Sequence, residues 1–509
     1  MVGQASNSQL DDSTGMDPRW LFWTCFFALV ATSFGFIIRA QIIGELGTHF
    51  NLSETQKGEI LGVGLWPFAL SIVLFSLVID KIGYGRSLVF ALVCHVTSAI
   101  VTIFATGYWM LYVGTFILAL GNGTVEAVIN PAVATIYSKE KTKWLNILHA
   151  GWPGGMVLGG LIILILGPAV DWRVKVGLLF IPAALYGVML MRAKFPVHER
   201  VKAGISYKAM LQEAGIIGAA IVIAVMVWEI GRIFVWSDLA KIIIALVLII
   251  AYGSYVRALG RPIFIFLLLI MIPLATTELG TDSWITELVN PVMADIGIQA
   301  GWVLVYTAFI MMVLRFMAGP IVERLQPLGL LATCSIIAIL GLIFLSKAAG
   351  IVVFIAATVY GVGKTFFWPT MLGVVAERFP KGGALTINTI SGLGMLTVGV
   401  IGTALLGNIQ DKQIDRDLYT EKPALHAQVV GEEERSLFGS YRPVDQNKLA
   451  ALEQEDRSVI NSVMAVAKKN ALMTVAIFPA IMLVGYLILI FYFRSQGGYK
   501  PVELVEQQE

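Results

Sequence analysis

Apolar residues in this chain neither alternate nor recur at helical spacing. They run almost unbroken for about 20 positions at a time, the length that crosses a bilayer as one α-helix. Six such runs occupy 20–43, 58–79, 87–106, 109–137, 144–167 and 174–191. A polar, basic connector follows, with two further runs at 216–236 and 239–255. Six more then fill 262–281, 298–322, 329–345, 351–375, 384–406 and 472–493. The pattern predicts an all-α polytopic membrane protein of 12 or 14 spans. Its parts are a tail (1–19), a six-helix bundle (20–191), a connector with two extra helices (192–261), a second six-helix bundle (262–493) and a tail (494–509). One member of the extra pair has a second reading, a helix lying on the membrane surface, although neither shows a polar face. No small-residue cleavage site follows the first run, which predicts a retained helix rather than a removed signal.

The polar segments set the orientation. Lys81, Arg86, Lys139, Lys141, Lys143, Arg192, Arg200, Arg324 and Lys381 fall on one side of the predicted membrane, against Lys57, Arg173, Lys175, Lys241 and Lys347 on the other. Short basic loops stay in the cytoplasm, so both termini are expected there. The long loop at 411–470, of mixed charge, then lies outside. Periodicity predicts a helix over 444–468, with too few large apolar residues around it for a separate core. A lid, a partner-docking element and a tolerated insertion all fit such a loop.

Composition agrees with the runs: of 509 residues 57% are hydrophobic and 14% charged, well below the quarter usual in soluble domains. The net charge of +2, without basic stretches interleaved with aromatics, gives no sign of nucleic-acid binding. Cys25, Cys94 and Cys334 lie far apart in apolar runs, which predicts inert thiols and no metal or disulfide. The five histidines are scattered, and neither H-E-x-x-H nor G-x-S-x-G occurs, so no enzyme and no cofactor is expected. The only outer N-x-S/T is Asn51–Ser53, which leans toward a bacterial plasma membrane.

The two bundles repeat one another. "GNGTVEAVINP" (121–131) in the fourth run has a counterpart in "GVGKTFFWP" (361–369), each with G-x-G, a polar residue and a proline. "NILHAGWPGGM" (146–156) matches "NTISGLGM" (388–395), and "SLVIDKIGYGRS" (76–87) matches "GPIVERLQPLG" (319–329). Paired halves with a site between them are a transporter architecture.

These residues carry a resemblance. Asp80, Lys81, Gly83 and Arg86 resemble the loop signature of the major facilitator superfamily, and Gly319, Glu323 and Arg324 its weaker second copy. The acid and base of each copy can latch helix ends in one state, an inner-face gate of Asp80, Lys81, Arg86, Glu323 and Arg324. G-x-G-x-x-E-x-x-x-N-P followed by "WLNILHAGWPGG" is similar to the fucose/glucose–galactose:proton symporter branch, as are "TTELGTDSWI" (276–285) and "FFWPTMLGV" (366–374). The likeness omits the extra helix pair and the long loop. Where the branch carries an aspartate in its first helix, this chain reads "FGFIIRAQ", with Arg39 and no acid. The resemblance implies proton-driven symport of a monosaccharide by alternating access, powered by the proton gradient.

Charge inside the bilayer is expensive and faces a cavity or a partner. Glu126, Arg39, Lys364 and Arg315 are placed there, with Glu278 nearer an outer end. Glu126 is the candidate proton carrier; a permanent pair with Arg39 is its structural alternative. Arg315 is expected to snorkel to the headgroups. Candidate substrate-binding residues are Arg39, Asn122, Asn130, Asn146, His149, Trp152, Glu278, Lys364, Trp368 and Asn388, with Trp66 and Trp284 as further aromatic faces. His149 also has a plain packing reading. Two rivals stand beside the sugar: an organic anion such as a sugar acid clamped by Arg39 and Lys364, and a membrane sensor that binds without transporting. The expected partners are a small-molecule substrate and the lipid bilayer.

Overall fold

The computed structural model describes residues 16–52, 54–167, 169–294, 296–399, 403–436 and 439–504. The first half is built from α1 (Pro18–Phe50), α2 (Gln56–Ile82), α3 (Tyr84–Ile103), α4 (Tyr108–Ile136), α5 (Lys141–Leu166) and α6 (Trp172–Leu190). The extra pair is α7 (Tyr207–Ile233) and α8 (Asp238–Val256). The second half contains α9 (Pro262–Gly280), continued by the helix Thr281–Ala294, and α10, which is Gly301–Phe316 and Ala318–Leu325 joined at a 70° bend. It goes on through α11 (Pro327–Lys347), α12 (Val352–Arg378) and α13 (Gly383–Thr397). The long loop holds α14 (Thr403–Glu421), α15 (Pro423–Val429), β1 (Glu434–Ser436), β2 (Gly439–Tyr441) and α16 (Gln446–Ala451), and α17 (Gln454–Ser495) closes the bundle.

Twelve of these helices are long and apolar enough to cross a membrane, thirteen with the bent α10. The remaining expected span is α13; residues 400–402 of that run lie outside the described residues. Both extra helices pass the same test. α7 packs on α9, α13 and α2, whereas α8 leans on α7 and turns Leu239, Ile243, Leu246 and Ile250 outward, a surface suited to lipid.

Among the described residues the halves meet chiefly where α2 packs on α13, α5 on α10, α4 on α13, and the first segment of α5 on the end of α12. One apolar cluster runs through both, from Leu21 and Phe68 to Phe367 and Leu393. Glycines set the closest approaches. A Cβ on Gly123 of α4 would stand 2.1 Å from the Phe68 carbonyl of α2, and one on Gly155 of α5 only 2.1 Å from Ser33 Oγ of α1.

The long loop departs from expectation. Ile414 and Leu418 of α14, Val429 of α15, Leu449 of α16 and Ile460, Val463 and Ala467 of α17 bury one another in a small core of their own. β1 and β2 pair antiparallel, Glu434 opposite Tyr441. The helix expected over 444–468 is two, broken at Leu452 and Glu453. This module rests on Thr281–Ala294 and α11. Partial burial and the negative charge of Glu434 raise the Asp411 carboxyl to about 6.

Candidate functional site

A proline inside a helix removes an N–H and releases the carbonyl four residues earlier. In lipid that carbonyl must find another donor. Pro131 of α4 releases Ala127 O, which accepts from Asn388 Nδ2 of α13 at 3.0 Å. Pro369 of α12 releases Thr365 O, which accepts from Arg315 Nε of α10 at 2.7 Å. Pro153 of α5 releases His149 O, which accepts from Arg315 NH1 at 2.9 Å. Two of these three bonds join the halves. Asn146 Nδ2 adds a third crossing, donating to Thr370 Oγ1 of α12 at 3.0 Å. Asn146 and Asn388 hold matching places in the internal repeat, and each reaches into the opposite half.

Arg315 is thus not a snorkelling residue. Depth along a helix suggested the headgroups, but its face of α10 points into the protein, where it is 1% exposed. Its third donor, NH2, reaches Glu278 Oε1 at 2.8 Å, and Glu278 Oε2 accepts from the Trp368 N–H at 2.9 Å. Glu278 sits in a π-helical turn, Thr276–Gly280, that aims it at the centre rather than the outer end. A guanidinium with three fixed acceptors, one of them charged, meets its buried cost.

Beside this pair lies a narrow cavity lined by Phe68, Glu126, His149, Trp152, Glu278, Leu279, Arg315, Trp368 and Met395. Its walls stand so close that only water-sized bodies fit. Glu126 Oε2 accepts from Asn130 Nδ2 at 2.6 Å, and the same amide donates to the Glu126 backbone carbonyl at 3.0 Å. A carbonyl can only accept, so the Asn130 amide is held with its NH₂ toward Glu126. Its Oδ1 therefore accepts from His149, 2.8 Å away, which makes Nε2 the protonated nitrogen of that ring. Among the described residues Glu126 has no ion-pair partner.

Of the expected site residues, Glu126, His149, Trp152, Glu278 and Trp368 come together around this cavity. Asn130 stands behind Glu126 and His149, and Asn146 and Asn388 serve the seam between the halves. Asn122 lies elsewhere, bonded to His95 Nε2 of α3 at 3.0 Å. Lys364 is bonded to Asp282 and does not line the cavity. Arg39 lines a second cavity inside the first half, with Ile38, Ala99, Leu118 and Val176 among its neighbours, and meets neither Glu126 nor Lys364. The clamp expected from Arg39 and Lys364, and the Arg39–Glu126 tie, are therefore not formed. Phe68, Leu279 and Met395 escaped the sequence reading, since apolar residues in apolar helices carry no local signal. Trp66 packs against Phe116, and the side chain of Trp284 lies outside the described residues.

The face that carries both ends of the chain is closed. Lys141 Nζ is bonded to Glu199 and donates to Ala376 O at 3.2 Å, while Glu377 Oε1 accepts from the Thr142 N–H at 3.1 Å and from Thr142 Oγ1 at 2.5 Å. Of the expected gate residues, Asp80 pairs with Arg200 of the connector instead of its own loop's bases. Lys81 lies over the Tyr207 ring and Arg86 is exposed. Glu323 approaches Lys143 at 3.9 Å, and Arg324 is exposed. Behind the gate, burial pushes the His198 imidazole down to about 3, with Lys141 and Arg200 adding to the effect, so the ring is neutral there.

The family model of the Major Facilitator Superfamily matches residues 23–407. A TsgA homolog of Buchnera aphidicola (subsp. Schizaphis graminum, strain Sg) is 25% identical over 181 residues, 35% of this chain and 47% of that protein. A probable sugar efflux transporter of Helicobacter acinonychis (strain Sheeba) is 24% identical over 30% of this chain and 39% of its own. The match thus spans less than half the length of these relatives. Among solved structures, the E. coli fucose:proton symporter FucP aligns over 91% of this chain and 98% of its own, at 15% identity and TM-score 0.54. The proton:xylose symporter XylE aligns over 92% and 96%, at 13% and 0.59. The human organic anion transporter MFSD10 aligns over 92% and 99%, at 11% and 0.58. At such identities the likeness to solved structures is one of fold.

Proposed function

Because this chain belongs to the major facilitator superfamily, a family of membrane transporters, we propose that it moves a monosaccharide together with a proton by alternating access, with Glu126 as the proton carrier. The observation that carries this reading is Glu126 itself. It is a buried carboxylate on the wall of a cavity between the halves, held by one amide and by no counter-ion among the described residues. A carboxylate in that position can take a proton from one side and release it to the other when access changes. Trp152 and Trp368, one from each half, offer flat faces to the C–H side of a sugar ring, and Glu278, Arg315 and His149 offer partners to its hydroxyls. The sugar-named relative and the two sugar symporters of like fold agree with this substrate class. The face carrying the termini is read as cytoplasmic, and the membrane as a bacterial plasma membrane.

Charge weighs against the anion. The cavity holds two carboxylates, Glu126 and Glu278, and one guanidinium already spent on Glu278. An anionic solute would meet net negative charge whenever Glu126 is ionised, whereas a neutral one meets none of that repulsion. Uptake into proteoliposomes of labelled hexoses, 6-deoxyhexoses and hexuronates, under an inward proton gradient, tests the assignment. A neutral sugar is expected to accumulate and to lose its accumulation with a protonophore. Entry of hexuronate alone would overturn the substrate class.

A further inference from the structure

Beyond the two halves and the connector, the closed face contains the C-terminal tail. Gly497 and Gly498 follow the last helix with φ of 87° and 100°, the left-handed region that glycine enters freely. They turn the chain back, with the Gly498 N–H donating to Phe493 O at 2.8 Å. The returning segment lays Tyr499 against the Phe493 ring, 5.4 Å between centroids. Tyr499 Oη then donates to Glu377 Oε2 at 2.7 Å, and the Val502 N–H donates to Glu377 O at 2.8 Å. Arg378 NH1 holds the strand between them, donating to Lys500 O at 2.5 Å.

At this face Glu377 is one of the residues that join the halves. The first segment of α5, Lys141–Leu148, begins at Glu140, whose side chain makes no capping bond. Its positive dipole end, where helix N–H groups lack partners within the helix, is met by the Glu377 carboxylate from the other half, through the Thr142 N–H. In return Lys141 caps the last turn of α12 at Ala376 O. Two helix ends of opposite polarity cap each other across the seam, and the bonds last only while this face is shut. We propose that the C-terminal tail is a strap for this gate: Tyr499 and Val502 act as positioning residues that aim the Glu377 carboxylate at α5 and so favour the state closed at the terminal face. The carboxylate has two oxygens. With Oε2 fixed by Tyr499, Oε1 is left facing Thr142; without the strap the side chain is free to turn away into water.

The test is a distance measurement that needs no substrate, so it can fail without touching the transport reading and survive that reading's failure. Spin labels on Lys139→Cys and Lys381→Cys, both exposed at this face on opposite halves, report its opening. The expected result is a single short distance in the intact chain. A more separated population, up about five-fold or more, is expected in each of three variants: truncation after Gln496, Tyr499→Phe, and Gly497→Ala with Gly498→Ala. Glu377→Gln, which keeps the acceptor on Thr142 but loses the charge, should open the face partly. Melting temperatures close to that of the intact chain check that the variants fold. Distance distributions that superimpose on the intact chain for Tyr499→Phe and for the double glycine variant would overturn the strap, whatever the truncation does.

Discussion

At the scale of single residues, the centre of this protein is organised by what its prolines leave undone. Pro131, Pro153 and Pro369 each free a carbonyl inside the bilayer, and Asn388 and Arg315 are placed to take them. Arg315 carries most of this duty and also neutralises Glu278. Removing one partner of a buried pair costs about 3–5 kcal/mol, because the other is left charged and alone. Glu278→Gln is therefore expected to lower the melting temperature in detergent markedly. Adding Arg315→Met to it should recover part of the loss in charge while forfeiting two carbonyl bonds. Equal melting temperatures for Glu278→Gln and the intact chain would deny that the pair is structural. The sequence located the ionisable residues in their helices but not their partners. Spacing along a helix reports depth, whereas Arg315 and Lys364 are decided by which face they occupy and by acids 37 and 82 positions earlier.

Elements behave as the apolar runs imply wherever one segment alone decides the outcome. The predicted spans and the match between α4 and α12 needed no knowledge of the rest of the chain. The loop module was missed because its core is collected from four separate helices, each giving one to three apolar side chains, which no window of the chain reveals. The gate is another product of two elements. Gly373 of α12 lies so close to α5 that a Cβ there would stand 2.3 Å from Thr142 Oγ1 and 2.7 Å from Thr142 Cα. Gly373→Ala must push α5 and α12 apart at the terminal face. An overpacking cost of about 1–3 kcal/mol, borne only by the closed state, raises the ratio of open to closed roughly 5- to 160-fold. The Lys139–Lys381 labels would read this as a longer distance; an unchanged distance would mean that the closure tolerates the methyl group.

At the scale of the whole molecule, two halves enclose a small polar cavity, with caps, carbonyl bonds and a strap holding its terminal side shut. Those contacts join the halves directly, so opening this side has to break the helix caps. The cavity between them must widen for a sugar to enter, since its walls now admit only water-sized bodies. The extra helices and the loop module lie beside this machinery, α8 with its apolar side chains turned outward and the module on the second half. Glu126 is the one acid in the cavity that has no cation bonded to it among the described residues, and the account stands on what it does. The direct measurement is sugar accumulation in proteoliposomes by the intact chain and by Glu126→Gln, together with exchange of labelled for unlabelled sugar in the absence of a gradient. Accumulation should vanish in the variant while exchange persists, because the site then binds and turns over without a proton to carry. A variant that concentrates sugar as well as the intact chain would contradict the account and leave Glu126 as a structural carboxylate.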